Sequence, residues 1–216
     1  MADAVGSNEG PETIVDGLWQ SGYGPPSTAP GPDQLTWQLP IRRTTTLSGP
    51  IPVSLWLSST APDTDVFVEL VDAAPDGSYS FLQRGMLRAS YRAVDPRRSL
   101  RIRSGPHRGE VEWFGHPFTN RQLLTPGSLY QLRFDIPPVG NVFRPGHRLL
   151  LMVYSPPVLD EFNAYASGQA AAVNTIVDTP AYRSTVLLPL LPRTPTVARH
   201  QPACGSQVGV RCVHPG

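Results

Sequence analysis

The residues of this chain that could do chemistry are few and spread out. Asp63 and Asp65 flank Thr64, with Asp72 and Asp76 a short way on. Carboxylates spaced through a turn are the raw material of a calcium site, but such a site takes six to eight oxygens. The reading preferred here has Asp63 capping the turn and Asp65 pairing with an arginine, either Arg88 or Arg148. Arg88 and Arg92 are four residues apart and fall on one face if Leu87, Ala89 and Tyr91 alternate along a strand. They could grip a substrate carboxylate or a partner domain, and the reading preferred here has them paired within the fold or solvated. His147 lies between Gly146 and Arg148, and His116 precedes Pro117 and Phe118. A histidine acting as a general base needs a nucleophile or a partnered carboxylate, and neither stands beside these two, so both are read as hydrogen-bonded structural residues. No serine sits in the Gly-x-Ser-x-Gly turn that exposes a nucleophilic hydroxyl; Ser7, Ser128, Ser167 and Ser206 all lack the spacing. Cys204 and Cys212 are candidates for a disulfide, which would favour an oxidising, extracytoplasmic compartment. With His200 and His214 they also raise a zinc site, but the His-x3-Cys-x7-Cys-x-His spacing is not one zinc commonly uses. A pair of free thiols is the third possibility.

The elements that must hold these residues are strands. Ile51, Val53, Leu55 and Leu57 alternate with Pro52, Ser54, Trp56 and Ser58, the period of a half-buried strand. Val66, Val68 and Leu70 repeat the pattern, and Pro75-Asp76-Gly77 marks a tight turn. Tyr130, Leu132, Phe134 and Ile136 alternate with Gln131, Arg133 and Asp135. Leu149 to Tyr154 is a continuous apolar run, as expected of a strand covered on both faces, and Thr185 to Leu191 closes the set, limited by Pro189. Ala164 to Val173 comes nearest to a helical period and makes a poor helix. Trp56, Trp113, Phe114 and Phe118 could form an aromatic platform for a sugar or a partner, or pack in the core. Trp56 falls out of phase with its apolar neighbours, which hints at the outer face.

Composition agrees with strands and turns. The chain has 216 residues, with 25 Pro and 19 Gly, which weigh against long helices. All 18 basic residues are Arg, and the formal net charge is +1. So balanced a charge gives no electrostatic reason to expect nucleic acid or an acidic membrane surface. Arg97, Arg98, Arg101 and Arg103 lack the aromatic interleaving of a nucleic-acid site and read as a solvated loop. No segment is apolar for long enough to form a membrane-spanning helix. Residues 1–33 read as a Pro/Gly-rich linker or truncated domain end, 34–192 as the sandwich domain, and 193–216 as a flexible tail.

Several short stretches occur in a telling order: Ala61-Pro62-Asp63-Thr64-Asp65, Pro75-Asp76-Gly77, Gly85 to Arg92, His116-Pro117-Phe118, Thr125-Pro126-Gly127, Pro145-Gly146-His147-Arg148-Leu149 and Leu187-Leu188-Pro189. In order and spacing the chain resembles the C-terminal β-sandwich domain of the Xaa-Pro dipeptidyl-peptidase and cocaine-esterase family of serine hydrolases. The resemblance covers about three quarters of the sequence. It implies an all-β fold, an antiparallel jelly-roll sandwich of the galactose-binding-like kind. It also implies a partner, an α/β-hydrolase domain that carries the Ser-His-Asp triad and whose pocket this domain helps to shape. No position here matches the triad, and no cofactor is implied. The alternative is a free-standing jelly-roll binding module for carbohydrate or protein, because fold alone does not choose between such roles.

Overall fold

The computed structural model describes residues 2–3, 10–15, 34–154, 172–191, 203–204 and 212–213. The strands are β1 (Ala2–Asp3), β2 (Gly10–Val15), β3 (Gln34–Pro40), β4 (Thr45–Ser59), β5 (Asp65–Ala73), β6 (Tyr79–Arg88), β7 (Leu100–Arg101), β8 (Val111–Trp113), β9 (Leu129–Phe143), β10 (Arg148–Tyr154), β11 (Val173–Asp178), β12 (Thr185–Leu188) and β13 (Cys212–Val213). One 3-10 turn, Ala89–Tyr91, follows β6.

Every strand pairing described is antiparallel, and two sheets form a sandwich. In the first, β4 pairs along its length with β9 on one side and with β11 and β12 on the other, while β2 and β1 extend the far edge. In the second the order is β13-β6-β5-β10-β3. The strands β7 and β8 make a separate two-stranded ribbon. The pairing of Gly10–Val15 with β11 and of Cys212–Val213 with β6 puts parts of the segments read as linker and tail into the sheets. The segment read as a poor helix lies outside the described residues except for Ala172 and Val173.

The period-two patterns point inward as their spacing dictates. Ile51, Val53, Leu55 and Leu57 of β4 meet Leu132, Phe134 and Ile136 of β9 and Val66, Val68 and Leu70 of β5 in one buried core. Removing each such side chain from water contributes roughly 1.5–3 kcal/mol. Strand β10 is buried on both faces. Leu149, Leu151 and Val153 join the main core, while Leu150, Met152 and Tyr154 form a second apolar layer with Phe67, Val71 and Ala73. The turn at Pro75-Asp76-Gly77 also forms: Gly77 takes a φ of 86°, and the Asp76 carboxylate accepts from the Ser78 amide and hydroxyl.

One strand ends earlier than its pattern predicts. Alternation from Leu87 to Arg92 reads as continuous strand, yet β6 stops at Arg88 and the chain turns. Ala89 N–H donates to the Thr64 carbonyl, and the Ser90 amide donates to Asp63, which draws the backbone out of the ladder. Arg88 and Arg92 therefore do not share a strand face. Further back on β6, Gly85 lies against β9 where the two sheets meet. A Cβ there would overlap the Asp135 carbonyl, so only glycine fits.

Candidate functional site

At one end of the sandwich the loop before β5 delivers two carboxylates to two different tasks. Asp63 is buried and accepts four hydrogen bonds: from the Thr64 amide at 3.1 Å, the Ser90 amide at 2.9 Å, the Ser90 hydroxyl at 2.7 Å and Arg121 Nη2 at 3.0 Å. Asp65, directly opposite Arg88 in the β5–β6 ladder, takes both arms of that guanidinium, Nε at 2.9 Å and Nη2 at 3.0 Å. Burial lifts the Asp65 pKa, and Arg88 opposes that lift. The hydrogen bond to Asp65 in turn raises the pKa of Arg88. Arg92 instead donates to the carbonyls of Ala89 and Gln122, and its guanidinium lies 4.4 Å from the centre of the Tyr130 ring. Arg148, the other arginine considered for Asp65, donates to Gln38 Oε1 at 3.1 Å. The group is a buttress that fixes the turn after β6.

His147 belongs to a second, separate cluster. Its Nδ1 lies 2.8 Å from Asp72 Oδ1, both side chains are only 7% exposed, and Asn141 donates to the other Asp72 oxygen at 3.1 Å. The preceding Gly146 has a φ of 86°, as the turn into β10 requires. Backbone bonds from Gly146 to Ile41 and from Ile41 to His147 then tie that turn to the end of β3. Asp63, Asp65, Asp72 and Asp76 thus each face their own donors. Among the described residues, no three of His, Cys, Asp and Glu converge as a metal cage would need.

A cleft of about 360 Å³ opens beside β9, where the 93–118 segment folds back. Its lining includes Leu87, Trp113, Phe114, Phe118 and Asp135. Asp135 Oδ2 accepts the Phe114 amide at 2.7 Å, while Oδ1 is buried and meets no donor among the described residues. Burial pushes the Asp135 pKa up to about 7, and only the Phe114 N–H opposes it. His116 pins the segment down, with Nδ1 2.9 Å from the Ala93 carbonyl and Nε2 2.8 Å from the Arg133 carbonyl. A neutral imidazole can donate to only one of these. Phe118, 62% exposed, adopts a φ of 52° and packs against both Tyr91 and His116. Positive φ in a residue with a bulky side chain is uncommon and costs energy.

The sequence matches the profile of the X-Pro dipeptidyl-peptidase C-terminal non-catalytic domain over residues 16–186. The chain belongs to that family. It is 30% identical over 158 residues to the cocaine esterase of Rhodococcus sp. (strain MB1 Bresler), covering 68% of this chain and 23% of that protein. Two solved structures share the fold. A CocE/NonD family hydrolase of Staphylococcus aureus matches at 16% identity with a TM-score of 0.60, over 73% of this chain and 30% of that one. An aminopeptidase of a marine sediment Thaumarchaeota archaeon matches at 18% identity with a TM-score of 0.61, over 86% and 34%. The chain thus spans about a quarter to a third of the length of these relatives.

The family match starts well before Gln34, inside the segment read as linker, and stops short of the cysteines. Cys204 and Cys212 are joined in the structure, with Cα atoms 5.2 Å apart, and β13 sets Cys212 opposite Ser80 on the β6 edge. His200 and His214, considered as zinc ligands, lie outside the described residues. Of the aromatic residues, Trp113, Phe114 and Phe118 share the cleft. Trp56 instead meets Tyr182 edge to face at 4.9 Å. Asp135 is the residue that sequence reasoning missed. An Asp between Phe134 and Ile136 reads as the solvated side of a strand, and only the segment folded over it gives it another character.

Proposed function

We propose that this family domain works as the non-catalytic companion of an α/β-hydrolase domain, in a longer chain or as a split subunit, and helps to shape that domain's acyl or peptidyl pocket. The observation that carries this reading is a set of exposed apolar side chains on segments bonded to one another through the backbone. Phe118, Leu123 and Val173 are 62%, 54% and 38% exposed. Their loops are laced together by backbone bonds from Gln122 to Ser90, from Leu124 to Pro62 and from Thr60 to Val173. The Asp63 and Asp65 buttress stiffens the same loops. An exposed apolar patch rimmed by polar residues is what a docking face requires. Supporting this, the relatives are hydrolases three to four times as long as the matched region. No helix among the described residues is long and apolar enough to cross a membrane.

Three experiments test the reading. The DNA 5′ to the Met1 codon, or the gene beside it, should encode a hydrolase segment with a Gly-x-Ser-x-Gly elbow. Co-expression with that segment should give a complex that Phe118→Asp and Leu123→Asp both weaken. A companion segment that forms no complex, or a complex indifferent to both changes, counts against the docking face. The purified chain alone should show no saturable turnover of p-nitrophenyl acetate or of an Xaa-Pro chromogenic amide, and turnover that survives repurification would overturn the non-catalytic role.

A further inference from the structure

We propose that the cleft between the 93–118 segment and β9 is a binding site for an organic ammonium ion on an apolar stem, with Asp135 as its counter-ion. A half-buried carboxyl with one hydrogen bond and a second oxygen that meets no donor is a costly arrangement. A strand position that faced solvent would avoid it. Here the cost is imposed by the segment that builds the cleft, through the Phe114 amide and the two carbonyl contacts of His116.

Two basic residues, Arg98 and His116, line the cleft itself, and neither is paired with Asp135. Arg98 reaches from the loop before β7 to Asp95 at 3.4 Å. His116 turns both nitrogens to backbone carbonyls. Arg133, on β9 itself, sits over the Phe114 ring at 5.9 Å. From β6 only Met86 and Leu87 face the cleft, and Glu112 on β8 is exposed. Among the described residues Asp135 is paired with no cation, while Trp113 and Phe118 line the cleft with aromatic rings, a side-chain type that attracts cations. A volume near 360 Å³ suits a small ligand and excludes a folded partner. Because Oδ1 is covered by its surroundings, binding includes a rotation of the Asp135 carboxyl toward the cleft.

The inference is independent of the docking proposal, sharing only Phe118 with that face, and the isolated chain suffices to test it. Phenethylammonium and its neutral analogue phenethyl alcohol would be titrated into isotope-labelled chain at pH 5.5 and 8, following the Phe114 amide and the Trp113 indole by NMR. The ammonium should bind saturably and on the order of tenfold more tightly at pH 8, as Asp135 gives up its proton. The alcohol should show no such dependence. Asp135→Asn keeps the shape and an acceptor for Phe114, and should remove both the tenfold gain and its pH dependence. Absence of saturable binding, equal affinity at the two pH values, or an alcohol that binds as the ammonium does would overturn the proposal. A pH dependence that persists in Asp135→Asn would assign the effect to another group and overturn it equally.

Discussion

Asp65 and Asp135 are carboxylates on facing sheets, both drawn away from water and both with pKa values raised by burial, yet they live in opposite circumstances. Asp65 faces a guanidinium across one rung of a ladder and takes both of its donors. Asp135 takes a single amide and leaves an oxygen without a donor. The first arrangement is set by register within one hairpin, the second by a loop folded over a strand from the side. Pairing of the first kind makes a charge structural, whereas enclosure without a partner leaves it available for chemistry.

The sharpest way to break the comparison is to remove the Asp65 partner. Arg88→Met should destabilise the domain by about 3 kcal/mol, because it strands a buried carboxylate, and Asp65→Asn should cost a similar amount. The double mutant should lose much less than the sum in denaturant melts, and additive losses would show that the two residues do not couple. Next in size is Gly85→Ala, which drives a methyl into the Asp135 carbonyl and should cost about 2 kcal/mol by overpacking. Melting temperature at constant pH reads this, and an unchanged value would mean that the sheets can part at that edge.

Asp135→Asn should act in the opposite direction. With a folded pKa of about 7 against 3.8 for the free group, the native state holds a proton that the unfolded state has lost between those values. Wild-type stability therefore falls as pH rises from about 4 to 7. Screening by solvent limits the effect to on the order of 1 kcal/mol. The Asn variant should match wild type near pH 4 and exceed it at pH 8, and melts across that range check the sign. The smallest effect belongs to Arg148→Met, which gives up a solvent-exposed bond to Gln38 and should cost below about 1 kcal/mol. Combined with Asp65→Asn it should be additive, which separates Arg148 from the pair that matters.

Much of the sandwich is legible in the sequence because its signals are local. Alternation from Ile51 to Leu57 and from Tyr130 to Ile136 states which side chains face inward, and the unbroken run from Leu149 to Tyr154 announces a strand buried on both faces. An arginine partner for Asp65 is also legible, since a carboxylate at the start of a buried strand has to find one. The choice of Arg88 over Arg148 depends on register, which comes from β5 and β6 lying opposite each other. The turn at Ala89–Tyr91 is hidden for a different reason. Its apolar alternation is that of a strand, and it is overridden by bonds to Asp63 and Thr64, more than twenty residues away. Asp135 is the extreme case, since the segment that encloses it reads as loop and gives no sign of where it will fold.

The double burial of β10 also bears on how the chain must come together. Its neighbours in the sheet are β3 and β5, so Leu151 pairs with Trp37 on one side and Leu70 on the other. Strand β4 likewise waits for β9. Contacts this distant in sequence make for slow folding. During synthesis at about 5–20 residues per second, the apolar strands β4 and β5 emerge roughly 5–20 s before Tyr154 can join them. Until then the layers that bury Val66, Phe67 and Val68 in the finished domain lack their β9 and β10 residues, and this interval is when the nascent chain is most open to pairing with the wrong strand.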